Sequence, residues 1–477
     1  MRHPENCQQS TGDLVDNIRM RATLDFCLNG EALSLGGDEN PARTVLAWLR
    51  ERRGLVGTKE GCAEGDCGAC TVVLADRDPA GNLRYQPVNS CILCLGALDG
   101  KELITVEGLN GRHPVQRALV DCHGSQCGFC TPGFVMAMYA HYKSGGTAAA
   151  DAIAGNLCRC TGYRPILEAC EQSRTAADPQ RDRTEDEARR ARLASMPKDS
   201  FRVSNFFAPV SVAELAASLA EHPQATILAG GTDVGLWITK QHRDLGHVAY
   251  VGRVCELREL AESPTHVEIG AAVTYAEAYE TLAGIHPDIG ELLRRLGAVQ
   301  VRAAGTLGGN IANGSPIGDT MPVLLAVGAS LTLQRGAAQR TVPLDEFYTG
   351  YRKSVLEPGE FIRTVRIPKL ASGARFAAYK LSKRFDQDIS AVCAAFHVDG
   401  NEARFGFGGM AATPVRARKA EKMWSKGVDA ACAALAEDFK PISDMRAASW
   451  YRLAAAQGLL RKFHAAVGPR ALLEVQA

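Results

Sequence analysis

At 477 residues the chain is too long for one hydrophobic core, so three or four domains are expected. Hydrophobic residues make up 46% and charged residues 22%, an ordinary soluble balance, and a net charge of +1 gives no field for nucleic acid or an anionic membrane. No apolar run approaches the ~20 residues that span a bilayer, and Met1–Met20 is polar, so it reads as a disordered extension rather than a secretory signal.

Residues 21–35 alternate apolar and polar around Asn29-Gly30, which predicts a β-hairpin with a type I′ turn. Asn40-Pro41 is expected to open a helix whose buried stripe is Val45, Leu46, Trp48 and Leu49. Next comes Gly61-Cys62-Ala-Glu-Gly-Asp-Cys67-Gly-Ala-Cys70, with Cys91 further on. The pattern C-x4-C-x2-C…C is the spacing with which plant-type ferredoxins hold a [2Fe–2S] cluster. Glycines between the thiols let the backbone come close and aim N–H groups at the sulfides. Zinc loops more often pair their ligands as two C-x2-4-C units. With the strand expected at Thr71–Ala75, this makes a β-grasp-like unit ending near Gly108.

Cys127-Gly-Phe-Cys130 precedes an apolar run, Phe134–Tyr142, that reads as a helix. A second helix is expected over Asp151–Leu157, ending at Cys158-Arg-Cys160. Four thiolates in two short pairs at helix ends suit an iron–sulfur cluster or structural zinc. Of the 16 cysteines, 13 precede residue 171, and eight of those sit in the two spaced motifs. Such crowding points to metal ligation in a reducing compartment, the cytoplasm, rather than to disulfides. Cys94 and Cys122 lie near the ligands without fitting the spacing.

Residues 174–199 are dense in charge and read as a solvated, partly helical linker, with a capping box at Thr184–Glu187 and i,i+4 pairs Glu185–Arg189 and Asp186–Arg190. From Phe201 the pattern is mixed α/β, with capping boxes at Ser211–Glu214 and Thr274–Glu277. Ala225–Ala229 reads as a strand running into Gly230-Gly231-Thr232-Asp233 and a helix. A second glycine cluster spans Gly305–Asn310, and Asp319 follows. Two glycine loops that could cradle phosphate, with a carboxylate for ribose hydroxyls, leave nucleotide binding open beside ordinary tight turns. Strands are expected at Arg375–Lys380 and Ala391–Val398, then a turn at Gly406–Gly409 and Ala/Leu/Arg-rich helices.

Both cysteine motifs and both glycine loops, in this order, resemble the iron–sulfur/FAD subunits of bacterial molybdenum hydroxylases, xanthine dehydrogenases among them. The resemblance covers about residues 21–420. It implies an α+β multidomain chain: a ferredoxin-like domain (21–108), a helical [2Fe–2S] domain (109–173), the charged linker (174–199), a vanillyl-alcohol-oxidase-like FAD domain (200–370) and a C-terminal flavoprotein domain (371–477). Cys62, Cys67, Cys70 and Cys91 would hold one [2Fe–2S] cluster; Cys127, Cys130, Cys158 and Cys160 would hold a second. For FAD it implies Ile227, Leu228, Ala229, Gly230, Gly231, Thr232, Asp233 and Val234, then Thr306, Leu307, Gly308, Gly309 and Asn310, with Asp319, Ile362 and Lys380. Tyr351 is the candidate for the NAD side. Leu296 replaces an aromatic found beside the flavin in animal relatives, and Gln387 replaces a familiar acidic residue.

The family's electron counting implies a route from a molybdenum–molybdopterin centre through two [2Fe–2S] clusters to FAD and then NAD+, during oxidation of hypoxanthine and xanthine to urate. No molybdenum region follows in this chain, so that centre, and the catalytic acid and base, are expected in a molybdopterin-binding large subunit, two of each chain forming a heterotetramer. The same architecture could serve an aldehyde or another N-heterocycle. A zinc-stapled scaffold without redox chemistry is the remaining alternative.

Overall fold

The computed structural model describes residues 20–78, 80–145, 148–175 and 178–466. The extension expected at the N-terminus lies outside them, Met20 apart. Two compact units form: Met1–Cys255 with Ala298–Gly305, and Glu256–Gly297 with Thr306–Ala477.

The first unit begins with β1 (Leu24–Leu28) and β2 (Glu31–Leu35), followed by α1 (Val45–Glu51), β3 (Thr71–Arg77), β4 (Leu83–Asn89) and β5 (Glu102–Ile104). Asn29 and Gly30 both have positive φ, and Leu28 pairs with Glu31, as the hairpin signal requires. The helix start differs from expectation. Thr44 is the N-cap, accepting from the Ala47 amide, while Asn40 closes a turn on Ala42. The sheet runs β2-β1-β5-β3-β4, with β1 and β5 parallel. β3 is almost wholly buried because both its faces are covered. Val72 and Leu74 join Phe26 and Trp48 in one core, while Val73 and Ala75 meet Phe134 and Tyr139 in another.

That second core belongs to α2 (Pro114–Asp121), α3 (Thr131–Ser144), α4 (Ala149–Ile153) and α5 (Arg164–Thr175). α4 stops at Ile153, four residues short of the expected end, so Cys158 and Cys160 stand on a loop rather than at a helix terminus. α6 (Pro179–Ser195) replaces the expected linker. Its N-cap is Asp178; Thr184 is interior and donates to the Gln180 carbonyl, so the expected capping box is not formed. The helix is also not merely solvated. Arg189 is buried, donating to Glu102 (3.2 Å) and to the Tyr85 hydroxyl (2.9 Å), and Arg192 meets the other Glu102 oxygen at 3.1 Å. Within the helix Arg181 pairs with Asp182 and Glu185, and Asp186 pairs with Arg189.

β6 (Phe201–Val203), β7 (Phe206–Ala208), α7 (Val212–Glu221), β8 (Thr226–Leu228), α8 (Val234–Thr239) and β9 (Val248–Tyr250) complete this run, with sheet order β6-β7-β9-β8. Ser211 caps α7 through the Glu214 amide. Phe201, Phe206, Leu228 and Tyr250 share the core of Phe26 and Trp48, so this sheet and the β-grasp sheet are one packed body.

The second unit holds β10 (Leu260–Glu262), β11 (His266–Gly270), α9 (Tyr275–Ile285) and α10 (Pro287–Arg294). After α11 (Val299–Ala304), which belongs to the first unit, come α12 (Leu307–Asn313), α13 (Thr320–Val327), β12 (Ser330–Arg335), β13 (Ala338–Pro343), α14 (Leu344–Phe347), β14 (Tyr348–Gly350), β15 (Lys353–Ser354) and β16 (Phe361–Pro368). Thr274 and Glu277 make the expected reciprocal cap of α9. The main sheet, β10-β11-β16-β12-β13, is antiparallel throughout. A second antiparallel sheet joins β17 (Arg375–Leu381), β18 (Val392–Asp399), β19 (Glu402–Gly408) and β20 (Val415–Arg416), with α15 (Arg418–Met423), α16 (Val428–Asp438) and α17 (Ser449–His464) following. Gly406 and Gly408 are strand residues, not the expected turn: a Cβ at Gly406 would overlap the Pro322 carbonyl of the fully buried α13.

Candidate functional site

Cys62, Cys67 and Cys70 occupy the irregular stretch before β3, and Cys91 follows β4; pairing of Thr71 with Asn89 brings the two ends together. The Cys70 and Cys91 sulfurs are 3.3 Å apart, both buried, and all four cysteines are free thiols. The Cys62 sulfur accepts from the amides of Asp66 (3.3 Å) and Cys67 (3.4 Å), the kind of donor that stabilises sulfur charge. Hydrogen bonds from Cys67 and Cys91 hold the Cys62 thiol well below the usual range, and Cys91 lowers Cys70; Cys67 and Cys91 rise in consequence. Two of the four thiols, Cys62 and Cys70, are thereby biased towards thiolate. Gly68 has φ +71°, and a Cβ there would overlap the Gly155 carbonyl, so only glycine closes this loop.

Cys130 is the N-cap of α3, three residues after Cys127, and both face the loop of Cys158 and Cys160. Burial, then contact with Cys158, pushes Cys130 up to about 12. Burial opposes ionisation of Cys158 too, but hydrogen bonds from Thr161 outweigh it and the thiol is lowered. The Tyr163 hydroxyl accepts from the Cys158 amide at 3.0 Å and fixes the loop. Cys127 and Cys160 are exposed, and Phe129 and Leu157 stand half-exposed beside them. Among the described residues no three His, Cys, Asp or Glu side chains converge on a single metal ion. In the first loop Cys62 meets Cys67 and Cys91, and Cys91 also meets Cys70; in the second Cys127 meets Cys160 and Cys130 meets Cys158, so each loop gathers the four thiols that a cluster of two irons requires.

The first glycine loop continues from β8. A Cβ at Gly230 would overlap the Ala304 carbonyl, so the loop lies directly on the end of α11. Leu228 is core, Ile227 is exposed, and Ala229, Thr232, Asp233 and Val234 are half-buried. Gly231 and Gly235 pack on the carbonyl of Ile92, the neighbour of Cys91. At the other end of α8, Thr239 donates to the Ala63 carbonyl (2.7 Å) and Lys240 to the Cys62 carbonyl (2.6 Å). α8 thus runs from the glycine loop to the first cysteine loop.

In the second unit Thr306 caps α12 by accepting from the Gly309 amide at 3.0 Å. The amides of Leu307 and Gly308 bind the carbonyls of Val273 and Ala271, and that of Asn310 binds Thr306. These N–H groups have partners within the unit. Asp319 is buried, with its carboxylate held by Lys380 at 2.6 Å and by the Ser390 hydroxyl; Lys380 also donates to the Arg295 carbonyl at 3.0 Å. Ile362 is a core residue paired with Leu333, whereas Tyr351 is 56% exposed between β14 and β15. Leu296 packs against the core, and Gln387 takes a left-handed conformation.

Sequence reasoning gave no role to Thr71, Asn156 and Gln300, which are buried polar residues touching the first cysteine loop. Gln300 was the most legible of them, a lone amide on the buried face of α11.

Residues 105–171 match the family described as a [2Fe-2S] binding domain. Residues 200–370 match the FAD binding domain in molybdopterin dehydrogenase, and 377–467 match the CO dehydrogenase flavoprotein C-terminal domain. The chain belongs to the molybdenum hydroxylase family. It is similar to this family's iron–sulfur and flavin portion, and a zinc-stapled scaffold is set aside. The chain is 34% identical over 481 residues to xanthine dehydrogenase of Drosophila subobscura (85% of this chain, 36% of the relative). It is 34% identical to that of Emericella nidulans (84% and 35%) and 31% identical to xanthine dehydrogenase/oxidase of Rattus norvegicus (88% and 37%). It therefore spans about a third of the length of the curated relatives it matches. Among solved structures, carbon monoxide dehydrogenase chains from Hydrogenophaga pseudoflava (TM-score 0.51, 28% identity) and Oligotropha carboxidovorans (0.50, 29%) each cover 54% of this molybdenum hydroxylase chain and 94% of their own.

Proposed function

We propose that this chain is the electron-transfer part of a xanthine dehydrogenase. When bound, [2Fe–2S] clusters pass single electrons and FAD collects two for delivery to NAD+ as hydride, linking a molybdenum centre to a soluble acceptor. Cys62, Cys67, Cys70 and Cys91 hold the first cluster, and the amides of Asp66 and Cys67 stabilise its sulfur charge. Cys127, Cys130, Cys158 and Cys160 hold the second, with Thr161 supporting the Cys158 thiolate. FAD is taken by Ile227–Val234, and by Thr306–Asn310 with Asp319, Ile362 and Lys380. The ion pair of Lys380 with Asp319 fixes these two side chains, and Tyr351 serves the NAD side. The chain divides at 108, 173, 199 and 370 into ferredoxin-like, helical cluster, connecting, FAD and C-terminal parts.

The observation that carries the xanthine assignment is the 34% identity to xanthine dehydrogenases over 85% of the chain. The fold shared with CO dehydrogenase chains favours a second reading, the same relay serving another member of the family. The partner is a molybdopterin-binding large subunit in a two-plus-two heterotetramer, and the compartment is the cytoplasm. Among the described residues no helix is long and apolar enough to cross a membrane. Co-purification of the partner with this chain, followed by xanthine-dependent NAD+ reduction, tests the proposal. A complex that oxidised an aldehyde or another N-heterocycle and ignored xanthine would favour the second reading. One that used xanthine but reduced only oxygen would remove the NAD+ assignment.

A further inference from the structure

Three buried polar side chains connect the two cysteine loops to α11. Gln300 Nε2 donates to Thr71 Oγ1 (3.0 Å) and to Asn156 Oδ1 (2.9 Å). Asn156 Nδ2 donates to the Gly68 carbonyl (2.8 Å) and to Thr71 Oγ1 (3.2 Å), and the Thr71 hydroxyl donates to the same carbonyl at 2.6 Å. Every N–H and O–H in this set has a partner, and the directions are mutually consistent. Thr71, Asn156 and Gln300 are each at most 2% exposed. The Leu157 amide adds a bond to the Cys67 carbonyl at 2.9 Å. Asn156 is two residues from Cys158, Thr71 is next to Cys70, and Gln300 lies on the helix whose last carbonyl touches Gly230.

Burying three amide or hydroxyl groups costs free energy that an apolar core would not. One of their atoms, Gln300 Oε1, is even left without a hydrogen-bond partner. It lies where a Cβ on Gly155 would fall, so the packing has been tightened around the amide rather than relaxed to satisfy it. Apolar side chains could fill the space but could not fix the loops' direction, because dispersion contacts carry no angular preference.

We propose that Gln300, Asn156 and Thr71 are positioning residues that set the separation and orientation of the two cysteine loops, and hence of the clusters they hold. The inference rests on the two-cluster reading above. Its test is the magnetic interaction between the two reduced clusters, read by EPR on the intact holoprotein, which depends on their distance and orientation and not on turnover. In Gln300→Leu and Thr71→Val proteins that keep wild-type iron and flavin content, the spin–spin splitting is expected to shrink or broaden. Thr71→Ser, which keeps the hydroxyl, should restore the wild-type splitting. If Thr71→Val and Gln300→Leu both gave wild-type splitting at full iron content, the positioning role would be overturned. A wild-type protein with fewer than two cluster signals would instead refute the two-cluster reading. Should Gln300→Leu fail to load iron, the Thr71→Val and Thr71→Ser pair alone decides.

Discussion

The two cysteine loops solve one problem in opposite surroundings. The first is sunk between a sheet and α8, with Cys70 and Cys91 buried, backbone amides at Cys62, and carbonyls of Cys62 and Ala63 held by Lys240 and Thr239. The second stands at the surface, with Cys127 and Cys160 exposed and its loop fixed by Thr161 and Tyr163. A buried site is shaped by backbone contacts and tolerates little change; an exposed one leaves its group reachable. The difference fits a relay with an inner station beside the glycine loop and an outer station facing whatever delivers the electrons.

Serine at Cys70 and serine at Cys127 give the sharpest break. Each is expected to abolish one EPR signal and spare the other, and C70S should also lower the melting temperature, because its site is part of a packed core. Chelator or mild oxidant should strip the Cys127 cluster first. Equal loss from both loops would contradict the contrast.

Glycine substitutions extend it. Gly68 (φ +71°) and Gly128 (φ +83°) share a left-handed backbone, but a Cβ at Gly68 meets the Gly155 carbonyl while nothing lies within 4 Å of one at Gly128. Gly68→Ala should prevent assembly of the first cluster. Gly128→Ala should cost only the backbone strain, about 1 kcal/mol, and keep both signals.

The strap α6 supports the contrast from behind. Removing Arg189 leaves Glu102 buried with only Arg192 for a partner. Arg189→Ala is therefore expected to destabilise by on the order of 3 kcal/mol, read by denaturant melts. A loss below about 1 kcal/mol would mean that α6 is the exposed linker its composition implies.

The smallest effect is one of pH. His113 caps α2 through Nδ1, which accepts from the Val115 amide, and packs on Tyr139 and Tyr142. Burial, with Arg181 and Lys143 nearby and Asp182 opposing them, lowers its pKa from 6.5 to about 4. The unfolded chain then takes up the proton first as pH falls. The stability is complete above 6.5 and is lost between 6.5 and 4, amounting to at most about 3 kcal/mol. The helical part should loosen in acid before the β-grasp part, and His113→Asn, which keeps an acceptor, should flatten that dependence in thermal melts.

What the sequence revealed was local. Asn29-Gly30 dictates its own turn, and the short runs C-x4-C-x2-C, C-x2-C and C-x-C announce themselves by local spacing. Misreadings came where a distant partner decided the outcome. Arg189 reads as one charge among many until Glu102, 87 residues away in sequence, buries it. Gly406 and Gly408 look like a turn, yet they stay in a strand because Pro322 presses against them. Asn40-Pro41 lost the helix start to Thr44, which sits closer to the first apolar residues. The stretch 305–309 advertises a phosphate cradle, but the amides of Leu307 and Gly308 bond the carbonyls of Val273 and Ala271, contacts that no local pattern announces. Gln300 could have been flagged as an amide among apolar neighbours, but its two partners could not.

Metal, sulfide and flavin analysis of the purified chain bears most directly on the central claim. About four irons and four acid-labile sulfides per chain with one FAD, and two distinguishable EPR signals on reduction, are the expected result. A colourless protein carrying zinc, or iron enough for one cluster only, would contradict it.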